Sequence, residues 1–152
     1  ITTDHIQPGR YNYMRSNLPE LAKHVLEDAD PTFATKVREG DFVVAGRNFG
    51  LGSSREHAPT IMKMAGVGAV VAKSVARIFF RNAINVGLPV VICNTDSIND
   101  GDELEIDLAA GIVKDVTSGV ELAAGKLNPA MLKILEEGGL VPYIRKYRDF
   151  KL

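Results

Sequence analysis

The sequence predicts one α/β domain with a parallel strand–helix–strand core and a group of antiparallel strands after it. Three observations lead there. Phe42-Val43-Val44-Ala45, Gly68-Ala69-Val70-Val71-Ala72 and Pro89-Val90-Val91-Ile92-Cys93 are short, continuous apolar runs, as expected of strands covered on both faces. Helical patterns separate them, through Ala58, Ile61, Met62 and Ala65 and then Ala76, Ile78, Phe79, Ala83 and Val86. That order is the layout of parallel units joined by right-handed crossovers. Further on, Glu103-Leu104-Glu105-Ile106-Asp107-Leu108 alternates between polar and apolar, the pattern of a half-exposed strand.

The elements follow in order. Ile1 to Tyr13 is a polar, turn-rich opening with a turn at Pro8-Gly9. Asp4 and His5 within it are either acid–base groups or partners in turn hydrogen bonds. A helix is expected from Pro19, capped by Ser16 or Asn17, with Leu21, Ala22, Val25 and Leu26 as its apolar stripe. Asp30-Pro31 opens a short segment in which Phe33, Ala34 and Val37 suggest one or two helical turns ending near Gly40. After the first crossover helix Gly66 is the expected stop. Ser74 is the expected cap of the second helix, and Gly87 its end. Ile112 to Thr117 pairs with Glu103 to Leu108 across Ala109-Ala110-Gly111, and a third extended run is expected at Val120 to Leu122. Asn128-Pro129 starts a last helix with Met131, Leu132, Ile134 and Leu135 on one face, stopped by Gly138-Gly139. In the tail from Val141, the apolar Tyr143, Ile144, Tyr147 and Phe150 pack on the domain or a neighbour, and Arg145, Lys146, Arg148 and Lys151 form a solvated face. No repeat or linker interrupts residues 1–152, so a single domain is expected.

Bulk composition narrows the function. A net charge of −1 leaves no electrostatic footprint for nucleic acid or an acidic membrane. No apolar run approaches a bilayer span and no basic-then-apolar leader is visible, so a cytoplasmic protein is expected. Cys93 is the one cysteine, which rules out an internal disulfide and is too little for an iron–sulfur cluster. The three histidines, at 5, 24 and 57, are scattered without metal-ligand spacing. No metal is therefore expected on this chain, and any cluster it works beside belongs to another chain.

The stretch with chemical content is Gly46-Arg47-Asn48-Phe49-Gly50-Leu51-Gly52-Ser53-Ser54-Arg55-Glu56-His57-Ala58. It reads as strand, glycine turn, helix start. Two hydroxyls, an arginine fork and free amides in the first turn of a helix make an anion site. Ser53-x-x-Glu56 also reads as a capping box, which needs no ligand. Both readings stay open on these residues alone.

Asn48-Phe49-Gly50-x-Gly52-Ser53-Ser54-Arg55-Glu56-His57-Ala58 resembles the active-site motif of the swivelling domain in the aconitase superfamily. In particular it is similar to the separate small subunits of the 3-isopropylmalate dehydratase and homoaconitase type. Thr3-Asp4-x-Ile6-x-Pro8-Gly9-Arg10-Tyr11, Ala72-Lys73-Ser74-x-Ala76-Arg77-Ile78-Phe79-x-Arg81-Asn82-Ala83 and Asn85-x-Gly87-Leu88-Pro89 match as well, so the resemblance covers nearly the whole chain. It departs at Leu51, where many small subunits carry Cys or another small residue, and at Ile1, before which relatives usually have a further short strand. The resemblance implies a swivelling β/β/α domain and half of a hydro-lyase active site. Ser53 would be the base, and Ser54, Arg55 and Arg15 would hold carboxylates of a small dicarboxylate substrate. Tyr13-Met14-Arg15-Ser16 resembles a loop that reaches over the substrate; Arg10 is a nearby competitor for the carboxylate, and Met14 would line the pocket of the variable substituent. Asp4, His57 and Arg77 are supporting residues, Arg77 by bracing the central loop. A 4Fe-4S cluster is expected on a partner large subunit.

The chemistry fits those residue types. Removing a proton beside a carboxylate needs a base, and the charge that develops needs cations and amides around it. A serine hydroxyl serves as that base only where such groups stabilise its anion. An isopropyl substituent suits Met14 and Leu51 better than the extra carboxylate of homocitrate, and a methylmalate would fit as well. A serine hydrolase lacks its Gly-x-Ser-x-Gly elbow here, and a P-loop lacks its Gly-Lys-Ser/Thr ending. A non-catalytic anion-binding or assembly module is the rival from another class.

Overall fold

Three apolar strands form the centre. β1 (Phe42–Ala45), β2 (Ala69–Ala72) and β3 (Val90–Ile92) pair in parallel in that order, with Val43 opposite Val70 and Val71 opposite Val91. All four residues of β2 are buried, as a middle strand covered on both faces requires. Burial of each such valine contributes about 1.5–3 kcal/mol. The computed structural model describes residues 1–52 and 57–147.

Helices cover the sheet. α1 (Thr3–Ile6), α2 (Leu18–Ala22) and α3 (Phe33–Lys36) precede β1, and α4 (Ala58–Met64) and α5 (Arg77–Asn85) are the crossovers. Ile6, Leu21, Val25, Phe49, Ile61, Met62, Val70, Phe79 and Leu88 build one core between them. Asn17 caps α2 through its side-chain oxygen, which accepts from the Glu20 N–H at 3.4 Å. The apolar stripe past Ala22 is buried as expected, but not on a helix. Residues 23–29 run in turns, and Leu26 takes a φ of 55°, which ends regular helix there.

The antiparallel part is β4 (Leu104–Asp107), β5 (Ile112–Asp115) and β6 (Glu121–Ala123), a separate sheet in that order. Ile106 faces Val113 and Val113 faces Leu122. With Val71, Val91 and Cys93 these residues make a second core beneath the parallel sheet.

α6 (Pro129–Glu136) is capped by Asn128, whose side chain accepts from the Met131 N–H at 2.8 Å. The tail is helical, which its sequence reading left unassigned: α7 (Leu140–Tyr147) follows the Gly138-Gly139 stop. Tyr143 is its buried anchor, packed with Ile84 and Ile134. The charges of the tail that the structure describes, Arg145 and Lys146, are exposed.

α4 is described from Ala58, with His57 at its N-cap; the helix start expected at Ser53 lies outside the described residues. Pro59 sits in the first turn of α4, where its missing N–H costs nothing. Two expectations around the second crossover need correction. Ser74 does not cap α5; Ala76 occupies that position without a side-chain cap. Ile78, expected on the buried face of α5, is 53% exposed, and Ile84 is buried in its place.

Tyr143→Ala is expected to destabilise the domain by about 3–5 kcal/mol, the cost of emptying a buried aromatic site. Urea unfolding checks it, and a loss under about 1 kcal/mol would show that α7 is not part of the cooperative unit.

Candidate active site

β1 delivers the chain to a tight turn at its C-terminal end. Asn48 has φ 57° and Gly50 φ 78°, and the Leu51 N–H donates to the Asn48 carbonyl at 3.2 Å. The segment before α5 clamps this turn. Phe49 N–H donates to the Ser74 carbonyl at 3.1 Å, and Ala76 N–H donates back to the Phe49 carbonyl at 2.9 Å. Ser74 Oγ accepts from the Asn48 N–H at 2.8 Å. The hydroxyl expected to cap a helix therefore holds the turn instead, 26 residues away in the chain. Fully buried Phe49 sits edge-on to Phe79, ring centres 5.2 Å apart. A Cβ built on Gly50 would lie 2.4 Å from the Phe79 ring. Only glycine fits there, both for space and for the positive φ.

The opening of the chain closes the other side. Gly50 N–H donates to the Ile1 carbonyl at 2.8 Å, and Thr3 N–H donates to the Leu51 carbonyl at 3.0 Å. Asp4 follows at once in α1, so the structure places it beside the turn. The Thr2–His5 pair is a capping box: His5 N–H donates to Thr2 Oγ1 at 3.3 Å, and Thr2 N–H donates to His5 Nδ1 at 2.9 Å. His5 is thereby committed to structure.

Ser53, Ser54, Arg55 and Glu56 lie outside the described residues, so the base and carboxylate assignments made on them from the sequence rest on it alone. The chain on both sides of them is placed. Gly52 ends the clamped turn, and half-buried His57 holds the N-cap position of α4 without a side-chain cap.

Arg15 comes from a different segment. Gly9–Met14 is a 3-10 helix, and Arg15 closes it, its N–H donating to the Asn12 carbonyl at 3.1 Å. This segment packs on α2, which packs on α4. Tyr13 is 74% exposed, and Arg15 and Ser16 are exposed with it. The Arg15 guanidinium has no hydrogen bond or ion pair among the described residues. Met14 is half-buried and turned onto the main core, so less of it faces outward than its proposed pocket role asks.

Arg10, the competing cation, is engaged. Its guanidinium donates to Asp28 Oδ1 at 2.5 Å and to Glu27 Oε1 at 3.0 Å, and those carboxylates hold its pKa above the usual range. Glu27 also accepts from Tyr11 Oη at 2.8 Å and pairs with His24 Nδ1 at 2.6 Å. A carboxylate only accepts, so the His24 ring carries its proton on Nδ1. The His24 bond first, then that of Tyr11, hold the Glu27 carboxyl below its ordinary value. Sequence reasoning passed over Glu27, His24 and Asp28; their spacing suggests only a solvated helix face.

Arg77, at the start of α5, is exposed and makes no hydrogen bond or ion pair among the described residues. It lines a cleft between α5 and α6 with Arg81, Phe80 and Met131. The brace that the structure shows runs through the 74–76 backbone. Arg47, within the central turn, is a further exposed and unpartnered guanidinium among the described residues. No group of three His, Cys, Asp or Glu side chains among them could hold a metal ion. Cys93 is buried, and burial pushes its thiol pKa up, away from the thiolate a metal needs. A cluster does not fit these residues.

Comparison with known proteins gives consistent results. The family model described as "Aconitase C-terminal domain" matches residues 3–95. 3-isopropylmalate dehydratase small subunit 2 of Archaeoglobus fulgidus is 64% identical over 152 residues, covering 100% of this chain and 92% of that protein. The methanogen homoaconitase small subunit of Methanothermobacter thermautotrophicus is 54% identical, over 98% of this chain and 86% of its own. The crystal structure of 3-isopropylmalate dehydratase (leuD) from Methanocaldococcus jannaschii superposes with a TM-score of 0.91 at 46% identity, over 97% of this chain and 87% of that one.

Two outcomes follow from the geometry. Gly50→Ala should cost about 2–4 kcal/mol in urea unfolding, since a methyl there must displace Phe79. The Glu27 tether is fully in place above about 4.5, the ordinary value of its carboxyl. It is lost as the pH falls through the lowered folded value. Amide exchange of Gly9–Arg15 should accelerate in that acid range while β2 stays protected.

Proposed function

The chain belongs to the aconitase C-terminal domain family, and from that premise we propose that it is the small subunit of a 3-isopropylmalate dehydratase. Such an enzyme is a hydro-lyase that interconverts 2- and 3-isopropylmalate by losing and regaining water. The observation that carries the reading is likeness along the full chain to a protein of that name, 64% identical with no stretch left uncovered.

In this reading Ser53 takes the proton from the substrate C–H. Gly52 leaves the backbone there without a side chain, so substrate can come close. Ser54 and Arg55 take one carboxylate, and Arg15 takes the other from the 3-10 segment. That the Arg15 guanidinium is unpaired among the described residues supports this role, because a guanidinium already paired, as Arg10 is, has little left to offer an incoming anion. Cations on the carboxylates stabilise the charge that proton removal pushes onto them. The exposed Leu51 and Tyr13 offer apolar surface to an isopropyl group. Asp4 and His57 support the edge of the site. A 4Fe-4S cluster on a large subunit supplies the Lewis acid for the departing hydroxyl.

A homoaconitase small subunit is the second reading, favoured by the 54% identity to the methanogen protein of that name. The apolar character of Leu51 and Tyr13 weighs against a substrate with a further carboxylate. No helix among the described residues is long and apolar enough to cross a membrane, and a cytoplasmic location goes with this reading.

In the complex with its large subunit, Ser53→Ala should lower kcat by about 10²–10⁴-fold, the usual range for loss of a general base. Assembly and KM should change little. Near-normal turnover of that complex would overturn the assignment of Ser53 as base.

A further inference from the structure

We propose that Glu27 is a positioning residue that sets where Arg15 stands, acting through Arg10, Tyr11 and His24. The inference rests on the reading of Arg15 as a carboxylate clamp.

Burial alone does not place the 3-10 segment Gly9–Met14. None of its residues is fully buried, and only Tyr11 and Met14 lean on the core. Polar contacts help to place it: Arg10 bonds Asp28 at 2.5 Å, and three further contacts converge on the Glu27 carboxylate. Glu27 Oε1 accepts from both Arg10 (3.0 Å) and Tyr11 (2.8 Å), and Oε2 accepts from His24 (2.6 Å). The Tyr11 and His24 rings stack with centres 3.8 Å apart, and the Arg10 guanidinium lies 4.8 Å from the Tyr11 ring centre. Two consecutive residues at the root of the segment thus share Glu27, with Asp28 as a second hold on Arg10. Among the described residues, Arg15 at its far end is held through the segment's own backbone.

The grip itself stands on a fixed platform. Buried Leu26, next to Glu27, donates its N–H to the Ile6 carbonyl at 2.9 Å, and its carbonyl accepts from Ala29 (3.0 Å) and Asp30 (2.8 Å). Ile6 ends α1, whose Thr3 is bonded to Leu51 of the central turn. One run of hydrogen bonds and packed residues therefore connects the turn that precedes Ser53 to the segment that carries Arg15. Both halves of the site are tied to the same frame, and Glu27 is the joint nearest the Arg15 half. A guanidinium clamp depends on placement to a fraction of an ångström, so this joint governs substrate affinity more than the chemical step.

A double-mutant cycle in the assembled enzyme tests this, with steady-state kinetics on 2-isopropylmalate. Arg15→Ala should raise KM about tenfold or more, and Glu27→Ala about three- to tenfold with kcat within about twofold. Adding Glu27→Ala to Arg15→Ala should raise KM no further, and Glu27→Gln, which keeps the acceptor for Arg10 and Tyr11, should recover most of the loss. Full additivity of the two changes, or an effect of Glu27→Ala on kcat alone, would overturn the inference while leaving the clamp reading intact. An unchanged KM in Arg15→Ala would remove the clamp reading and this inference with it. Tyr11→Phe keeps the ring stack and deletes one donor to Glu27; it carries the same cycle where Glu27→Ala fails to assemble.

Discussion

The backbone clamp at Phe49 is the constraint on which the rest of the site depends. Its N–H and carbonyl are both bonded to the segment entering α5, at 3.1 and 2.9 Å, and Ser74 adds its hydroxyl to the next amide back. A turn at the end of an edge strand would otherwise be the loosest part of a three-stranded sheet. Here it is closed on one side by α5 and on the other by the first residues of the chain. The absent side chain of Gly50 lets Phe79 come against the backbone, so the fully buried Phe49 can meet it. Packing, hydrogen bonding and turn geometry all demand the same conformation.

That arrangement suits a small domain proposed to serve as half of an active site. The residues proposed to touch substrate need no core of their own. They adjoin, or belong to, a turn and a 3-10 segment that the α/β frame holds from beneath. The antiparallel sheet and α6–α7 add a second core and an anchor, Tyr143.

Much of this was legible in the residues. Continuous apolar runs located β1, β2 and β3, alternation located β4 and β5, and Asn17 and Asn128 cap the helices they were expected to cap. The motif at Gly50 to His57 gave the candidate chemistry. What stayed hidden depends on contacts between distant residues. Ser74 looks like a helix cap because its bond to Asn48 spans 26 positions. Glu27, His24 and Asp28 look like a surface stripe because nothing local announces Arg10 as their partner. The stripe Val25-Leu26 is buried whether the backbone is helix or turn, so hydrophobic periodicity could not mark where α2 ends. α7 was missed because its charges outnumber the single buried tyrosine that holds it.

The central claim, that this chain is the small-subunit half of an isopropylmalate hydro-lyase, is tested most directly by reconstitution. The chain is assayed alone and then with a cluster-loaded large subunit from the same source. Absorbance of the unsaturated intermediate formed from 2-isopropylmalate is the readout. Silence from the chain alone and turnover on mixing is the predicted result. A stable complex that turns over homocitrate but not 2-isopropylmalate would contradict the substrate, and a chain that forms no complex at all would contradict the claim itself.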